Sequence, residues 1–186
     1  IAADPTDHHA RRIRALLQFM SQNPSVALPE LRLAHEMNPN CAVTLGWLGL
    51  YEGLHGDAKR GVPLTEAALR RSLRDPARGS MLAALGFTHF AVRNYAEAAE
   101  ASEAALAEAA NSATPLILGA ISWVGAGQID RATAAFRRVE AIAPALVAAR
   151  LGGRWLSSNP DYLARADLFF RIAAGLAPPE AAQALR

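Results

Sequence analysis

The chain reads as an all-α solenoid, a right-handed superhelix of antiparallel helix pairs closed by a C-terminal capping helix. Three observations predict it. A quartet of residues at offsets 0, +4, +7 and +12 occurs four times along the 186 residues. Its copies are Ala27, Leu31, Ala34, Pro39; then Gly61, Thr65, Ala68, Leu73; then Ala98, Ser102, Ala105, Ala110; and Ala132, Phe136, Val139, Pro144. The steps between first members are 34, 37 and 34 residues, a period typical of helix–turn–helix repeats. Next, Gly49, Gly86 and Ala120 each precede a quartet by 12 residues, and Leu45, Leu82 and Leu116 stand four residues before them. Composition agrees: hydrophobic residues make up 52% but aromatics only 6%, and the abundant alanine suits closely packed helices better than a β-sandwich.

The elements follow in order. Residues 5–23 form a charged amphipathic helix whose Ile13, Leu16, Leu17 and Met20 should pair with the helix carrying the first quartet. Each quartet lies on the second helix of a pair, because spacings of four and three residues share one helical face. Small residues at its first and third places let the paired helices approach closely, and Pro39 and Pro144 end their helices. The turns within pairs carry Gly56, Arg93 and Gly127. Asp57 and Asp130 suit helix starts, where a carboxylate meets the positive end of the dipole. Asn94 with Glu97 three residues on reads as a capping box. Pro29 and Pro63 fall two residues after a quartet's first member, which predicts that these two helices start late or kink. The long step between the second and third units places a loop at 74–79, around Asp75-Pro76 and Gly79.

One domain, 5–180, accommodates this, with repeats at about 8–40, 41–75, 76–111 and 112–145 and capping helices over 146–176. Residues 145–156 read as a fifth first helix. Asn159-Pro160 opens the last helix, which should cover the core with Leu163, Leu168, Phe169 and Ile172. Residues 1–4 and 181–186 are expected to be loose ends.

Composition also narrows the function. Net charge is only +2, and the basic residues are nearly all arginine. The single cysteine, Cys41, excludes an internal disulfide and a multi-cysteine metal site, and fits a cytoplasmic chain. The first residue, Ile1, suggests a piece of a longer protein. The longest uncharged stretch, 111–129, contains Pro115 and three glycines and makes a poor membrane span. The histidines His8, His9, His35, His55 and His89 are not spaced as metal ligands, and no base stands in a fixed relation to Cys41. Glu97, Glu100, Glu103 and Glu108 read as a solvated face without basic partners. Arg70, Arg71, Arg74 and Arg78 form the densest basic cluster, but without the aromatic neighbours that nucleic-acid binding needs. The expectation is therefore a chain with no catalytic residue, no cofactor, no metal, and no nucleic-acid or membrane contact.

The segments NPNCAVTLGWLGLYEG, LRRSLRDPARGSM, HFAVRNYAEAAEASEAAL and ARLGGRWLSSNPDYLARADLFFRIAAGLAPPE resemble a tetratricopeptide repeat array. Their order is similar to that of the C-terminal repeat region of bacterial class III adenylate/guanylate cyclases. Similar arrays follow winged-helix DNA-binding domains in some bacterial regulators. No part of the chain resembles the cyclase catalytic domain. The resemblance implies a non-catalytic regulatory module of a multidomain signalling protein that binds proteins or peptides.

In such arrays the first helices of each pair line the concave face, and the register places Leu50, Ala83, Phe87, Phe90, Ile117 and Ile121 there. That lining is apolar, which favours an amphipathic helix of a partner, a second copy of the chain in a homodimer, or cover by another part of the protein. The opposing readings are that these residues are ordinary core, or that the concavity is a small-ligand sensor. Convergent polar groups near Trp47, Tyr51 or Trp123 would favour the sensor.

Overall fold

A computed structural model describes residues 7–20, 24–72 and 76–185. Residues 1–4, Leu73, the stretch 74–75 and Arg186 lie outside the described residues, as does the side chain of Met20. Among the described residues every regular element is helical. Helices α1 (His8–Met20) and α2 (Pro24–Met37) pack together, as do α3 (Ala42–His55) with α4 (Ala58–Arg71), α5 (Arg78–Ala91) with α6 (Tyr95–Glu108), and α7 (Ala113–Gly125) with α8 (Ile129–Ile142). The first helices α3, α5 and α7 touch in succession and form an inner layer. Each second helix also leans on the first helix of the next pair. A short α9 (Pro144–Leu151) and α10 (Pro160–Ala173) follow, then a 3₁₀ turn, Pro179–Ala184.

The quartets explain the pairing. Their first three members, from Ala27 through Val139, are all buried in the seams between helices. The tightest seam is between α3 and α4. A Cβ added at Gly49 would lie 2.7 Å from Thr65 Cγ2, 2.8 Å from Thr65 N and 2.9 Å from Gly61 O. One added at Gly61 would lie 2.8 Å from Gly49 O. The two backbones are therefore in direct contact, and only glycine allows it. Gly49→Val is expected to force the helices apart and lower stability by about 1–3 kcal/mol or more, read from the urea midpoint.

Local signals start and stop the helices. Asp57 Oδ1 accepts from Lys59 N at 3.1 Å and caps α4. Asn159 Oδ1 accepts from Asp161 N at 3.0 Å and Tyr162 N at 3.3 Å, with Pro160 at the first helical place of α10. Pro144 opens α9 directly after α8. Turn residues Arg93 and Gly127 take the left-handed conformation, with φ of 68° and 79°. Gly56 does not, at φ −120°.

Several expectations are corrected. The helices holding Pro29 and Pro63 do not start late, because each proline is the sixth residue of a continuous helix. Burial of Gly61, Thr65 and Ala68 against α3 outweighs the lost hydrogen bond. Asn94 caps no backbone N–H; its amide faces His89 Nδ1 at 3.4 Å instead. On α1 it is Ala15 that is buried, while Ile13 and Leu17 are exposed and Leu16 is half-buried. An ion pair of Arg11 with Glu30 at 3.1 Å joins α1 to α2. Glu103 and Glu108 do have basic partners, Arg131 and Arg78 on neighbouring helices. The end of the chain through Leu185 is not loose: Ala182 is fully buried, and Arg93 Nη1 donates to Leu185 O at 2.7 Å.

Candidate functional site

The concave face is the candidate site, and the C-terminal segment decides its shape. The helix α9 ends at Leu151, seven residues into what reads as a longer helix over 145–156. Gly153, at φ +79°, turns the chain, and residues 152–159 return as a strap to the end of α3. Ser157 Oγ donates to Leu54 O at 2.6 Å, Ser158 N donates to the same oxygen at 3.3 Å, and His55 Nδ1 lies 3.1 Å from Ser158 Oγ. The strap thereby satisfies a carbonyl that the end of a helix leaves without a partner.

After the strap, α10 packs against α7 and α8. Its anchor is Arg165, fully buried. Arg165 Nη1 donates to Phe90 O at 2.7 Å and to the Tyr95 hydroxyl at 3.3 Å, and Nη2 donates to Ala91 O at 3.1 Å. The guanidinium thus neutralises the negative end of α5. Its Nε donates to Asp161 Oδ2 at 3.0 Å, and Asp161 is shared with Arg93. Phe169, Phe170 and Ile172 of α10 complete the core, with Leu163 and Leu168 half-buried.

This divides the six predicted lining residues. Phe90 and Ile121 are fully buried and line no groove. The Phe90 ring is enclosed by Tyr95, Tyr162 and Phe169, at centroid distances of 5.5, 5.2 and 6.1 Å. Leu50, Phe87 and Ile117 do line a concavity, and Ala83 lines its continuation between α3, α5 and α6. Trp47, which no periodicity singled out for the groove, stands at the centre: it borders the open strip and the cavity under the strap alike. Its position three residues before Leu50 and seven before Leu54, on the same helical face, would have been the available signal.

The repeat-defining residues lie elsewhere. Gly49, Gly86 and Ala120 are buried on the first helices, and Gly61, Ala68, Ala98, Ala105, Ala132 and Phe136 on the second. Pro39 and Pro144 are exposed between helices. The arginine cluster is spent locally: Arg71 Nη1 donates to Pro39 O, Arg70 pairs with Glu66 and Arg78 with Glu108. Cys41 is half-buried at the start of α3. Among the described residues, no group of three or more His, Cys, Asp or Glu could hold a metal, and no helix is long and apolar enough to cross a membrane.

Three histidines are perturbed in one direction. Burial holds His35, His55 and His89 below their ordinary value of 6.5, with Arg71 adding to the effect at His35. The unfolded chain then binds more protons than the folded one in this window. Stability from these groups is full above pH 6.5 and is lost as pH falls through the lowered folded values. Urea midpoints at pH 5 are expected below those at pH 7.5.

The class these features define is a tetratricopeptide-repeat-like α-solenoid with a folded-back C-terminal cap. No protein-family model and no curated protein matches the chain. Solved structures do. A MamA RS-1 ArsTM double mutant aligns over 98% of both chains with a TM-score of 0.58 and 18% identity. A second MamA mutant aligns over 96% of this chain and 97% of its own, with a TM-score of 0.57 and 17% identity. At that identity the likeness speaks for the fold.

Proposed function

We propose that this chain is a non-catalytic interaction domain that holds an amphipathic helix of a protein partner along its concave face. The observation that carries the reading is the open apolar strip between α3 and α5. Trp47, Leu50, Ala83, Ala84 and Phe87 form its floor, and Glu108 is a charged residue at its edge. Trp47 and Phe87 are half-buried, large and rigid, the residue type that anchors a partner helix at i, i+3 and i+4 spacing. The strap fills the other half of the concavity, so a partner helix has one end of the groove available. The same strip could seat a second copy of the chain, which light scattering on a sizing column would detect.

We further propose that the domain belongs to a multidomain bacterial signalling protein of the adenylate cyclase type. The segment resemblance around Ser72 and Asp75-Pro76 supports it, and coding sequence upstream of Ile1 lacking a cyclase domain would overturn it. A winged-helix domain there would favour a transcriptional regulator instead.

Phe87→Asp tests the groove. The variant is expected to keep its helical circular dichroism and its cooperative unfolding, because the side chain is half-exposed. Proteins captured by the wild-type chain, or the dimer if one forms, should be lost. Retention of the same partner by a folded variant would sink the reading.

A further inference from the structure

Beneath the strap lies a cavity of about 220 Å³ that adjoins the open strip at Trp47, Leu50 and Phe87. Its floor is Leu50, Leu54, Phe87, Ile117 and Leu146. An apolar floor alone would carry nothing, but a cation from α9 borders it. Arg150 lines the cavity, half-buried, and its guanidinium donates one hydrogen bond, to the carbonyl of Arg154. Among the described residues no carboxylate comes within ion-pair distance of it. A second cation, Arg154, stands near it. Burial holds Arg150 below its ordinary pKa, and the Tyr162 phenol, itself buried, is pushed up so that it stays a donor.

Trp155 lines the cavity with its ring, while its indole N–H is buried away from the open space. The ring lies 5.4 Å from the Arg150 guanidinium, which holds the planar cation over it. The Arg150 guanidinium, the Trp155 ring and the neutral Tyr162 phenol thus border one end of an apolar chamber. The cation there has no carboxylate partner among the described residues, and what the chamber lacks is an anion.

The geometry points to this cavity as a binding site for a small monoanionic amphiphile: a carboxylate held by Arg150 beside the Tyr162 phenol, on a compact apolar tail lying over Phe87 and Ile117. A planar carboxylate matches the guanidinium fork in a two-bond arrangement. The volume limits the tail. A cavity of about 150 Å³ admits benzene, so this one takes an aryl group with a short side chain or an alkyl chain of about eight carbons. The site shares Trp47, Leu50 and Phe87 with the open strip, while Arg150, Trp155 and Tyr162 border it alone. The strap that closes it is the segment tied to Leu54, so the ligand would also brace the C-terminal cap.

Calorimetric titration of the full chain with sodium octanoate, octan-1-ol and hexadecanoate tests this. Octanoate is expected to bind one to one and about tenfold or more tighter than octan-1-ol, since a charge-assisted pair is worth at least that factor. Hexadecanoate should bind more weakly than octanoate because its tail exceeds the chamber. Arg150→Met should erase the preference for octanoate while sparing octan-1-ol, and Arg150→Lys should restore part of it. Ile117→Trp, which fills the floor, should remove both ligands. Equal affinity of octanoate and octan-1-ol for the wild-type chain would overturn the proposal without any variant needing to fold. So would an absence of saturable octanoate binding up to about 10 mM.

Discussion

Arg165→Met is expected to lower global stability by about 3–5 kcal/mol, the scale on which breaking a buried charged network acts. The wild-type side chain is fully buried and bonds two backbone carbonyls, Phe90 O and Ala91 O, the Tyr95 hydroxyl, and the Asp161 carboxylate. Methionine fills part of the volume but donates nothing. Phe90 O keeps the bond from Arg93 N at 3.1 Å, whereas Ala91 O loses its bond inside the protein, at about 1–3 kcal/mol. Two comparisons locate the effect. Asp161→Asn removes the charge partner, but Asp161 is about half exposed and screened by water, so its loss should cost under about 1 kcal/mol. Limited proteolysis should show the strap at 152–159 opening first in Arg165→Met, because α10, which Arg165 ties to α5, continues directly from that segment. An Arg165→Met chain with a wild-type urea midpoint would mean that α10 is held by its apolar face alone.

The repeat frame was legible because it is written in local spacing. The quartet marks one face of each second helix, and Gly49 with Gly61 marks a close crossing that other residues forbid. The strap was not legible, because its bonds join Ser157 and Ser158 to Leu54 and His55, about a hundred residues apart, and no periodicity links them. Arg165 was equally hidden. Four residues from Asp161 on a helix, it reads as half of an ordinary surface ion pair, and its burial comes with Phe90 and Ala91 of α5 and Tyr95 of α6, which no spacing links to it. The error in the groove has the same origin. Phe87 and Phe90 stand three residues apart on one helix, as Ile117 and Ile121 stand four apart, so each pair shares a face. Register alone cannot separate them. What separates them is α10, which covers the Phe90 end and leaves Phe87 open.

That difference sets the second large effect. Phe90→Asp is expected to abolish cooperative folding, whereas Phe87→Asp should cost no more than about 1–2 kcal/mol. Truncating an enclosed phenylalanine costs about 3–5 kcal/mol through lost burial and the cavity left behind. An aspartate adds the desolvation of a carboxylate inside a cage of Tyr95, Tyr162 and Phe169. The one nearby cation, Arg165, lies 5.0 Å from the Phe90 ring, but it is already committed to Asp161 and the two carbonyls. Drawing it away would release α10, so the new ion pair weakens the contact that encloses it. Since a domain of this size holds about 5–15 kcal/mol in total, the sum reaches the whole stability. Circular dichroism and urea titration of the two single variants decide the matter, and a double variant would confuse a lost fold with a lost partner. A Phe90→Asp chain that unfolds cooperatively near the wild-type midpoint would show that Phe90 faces the groove after all.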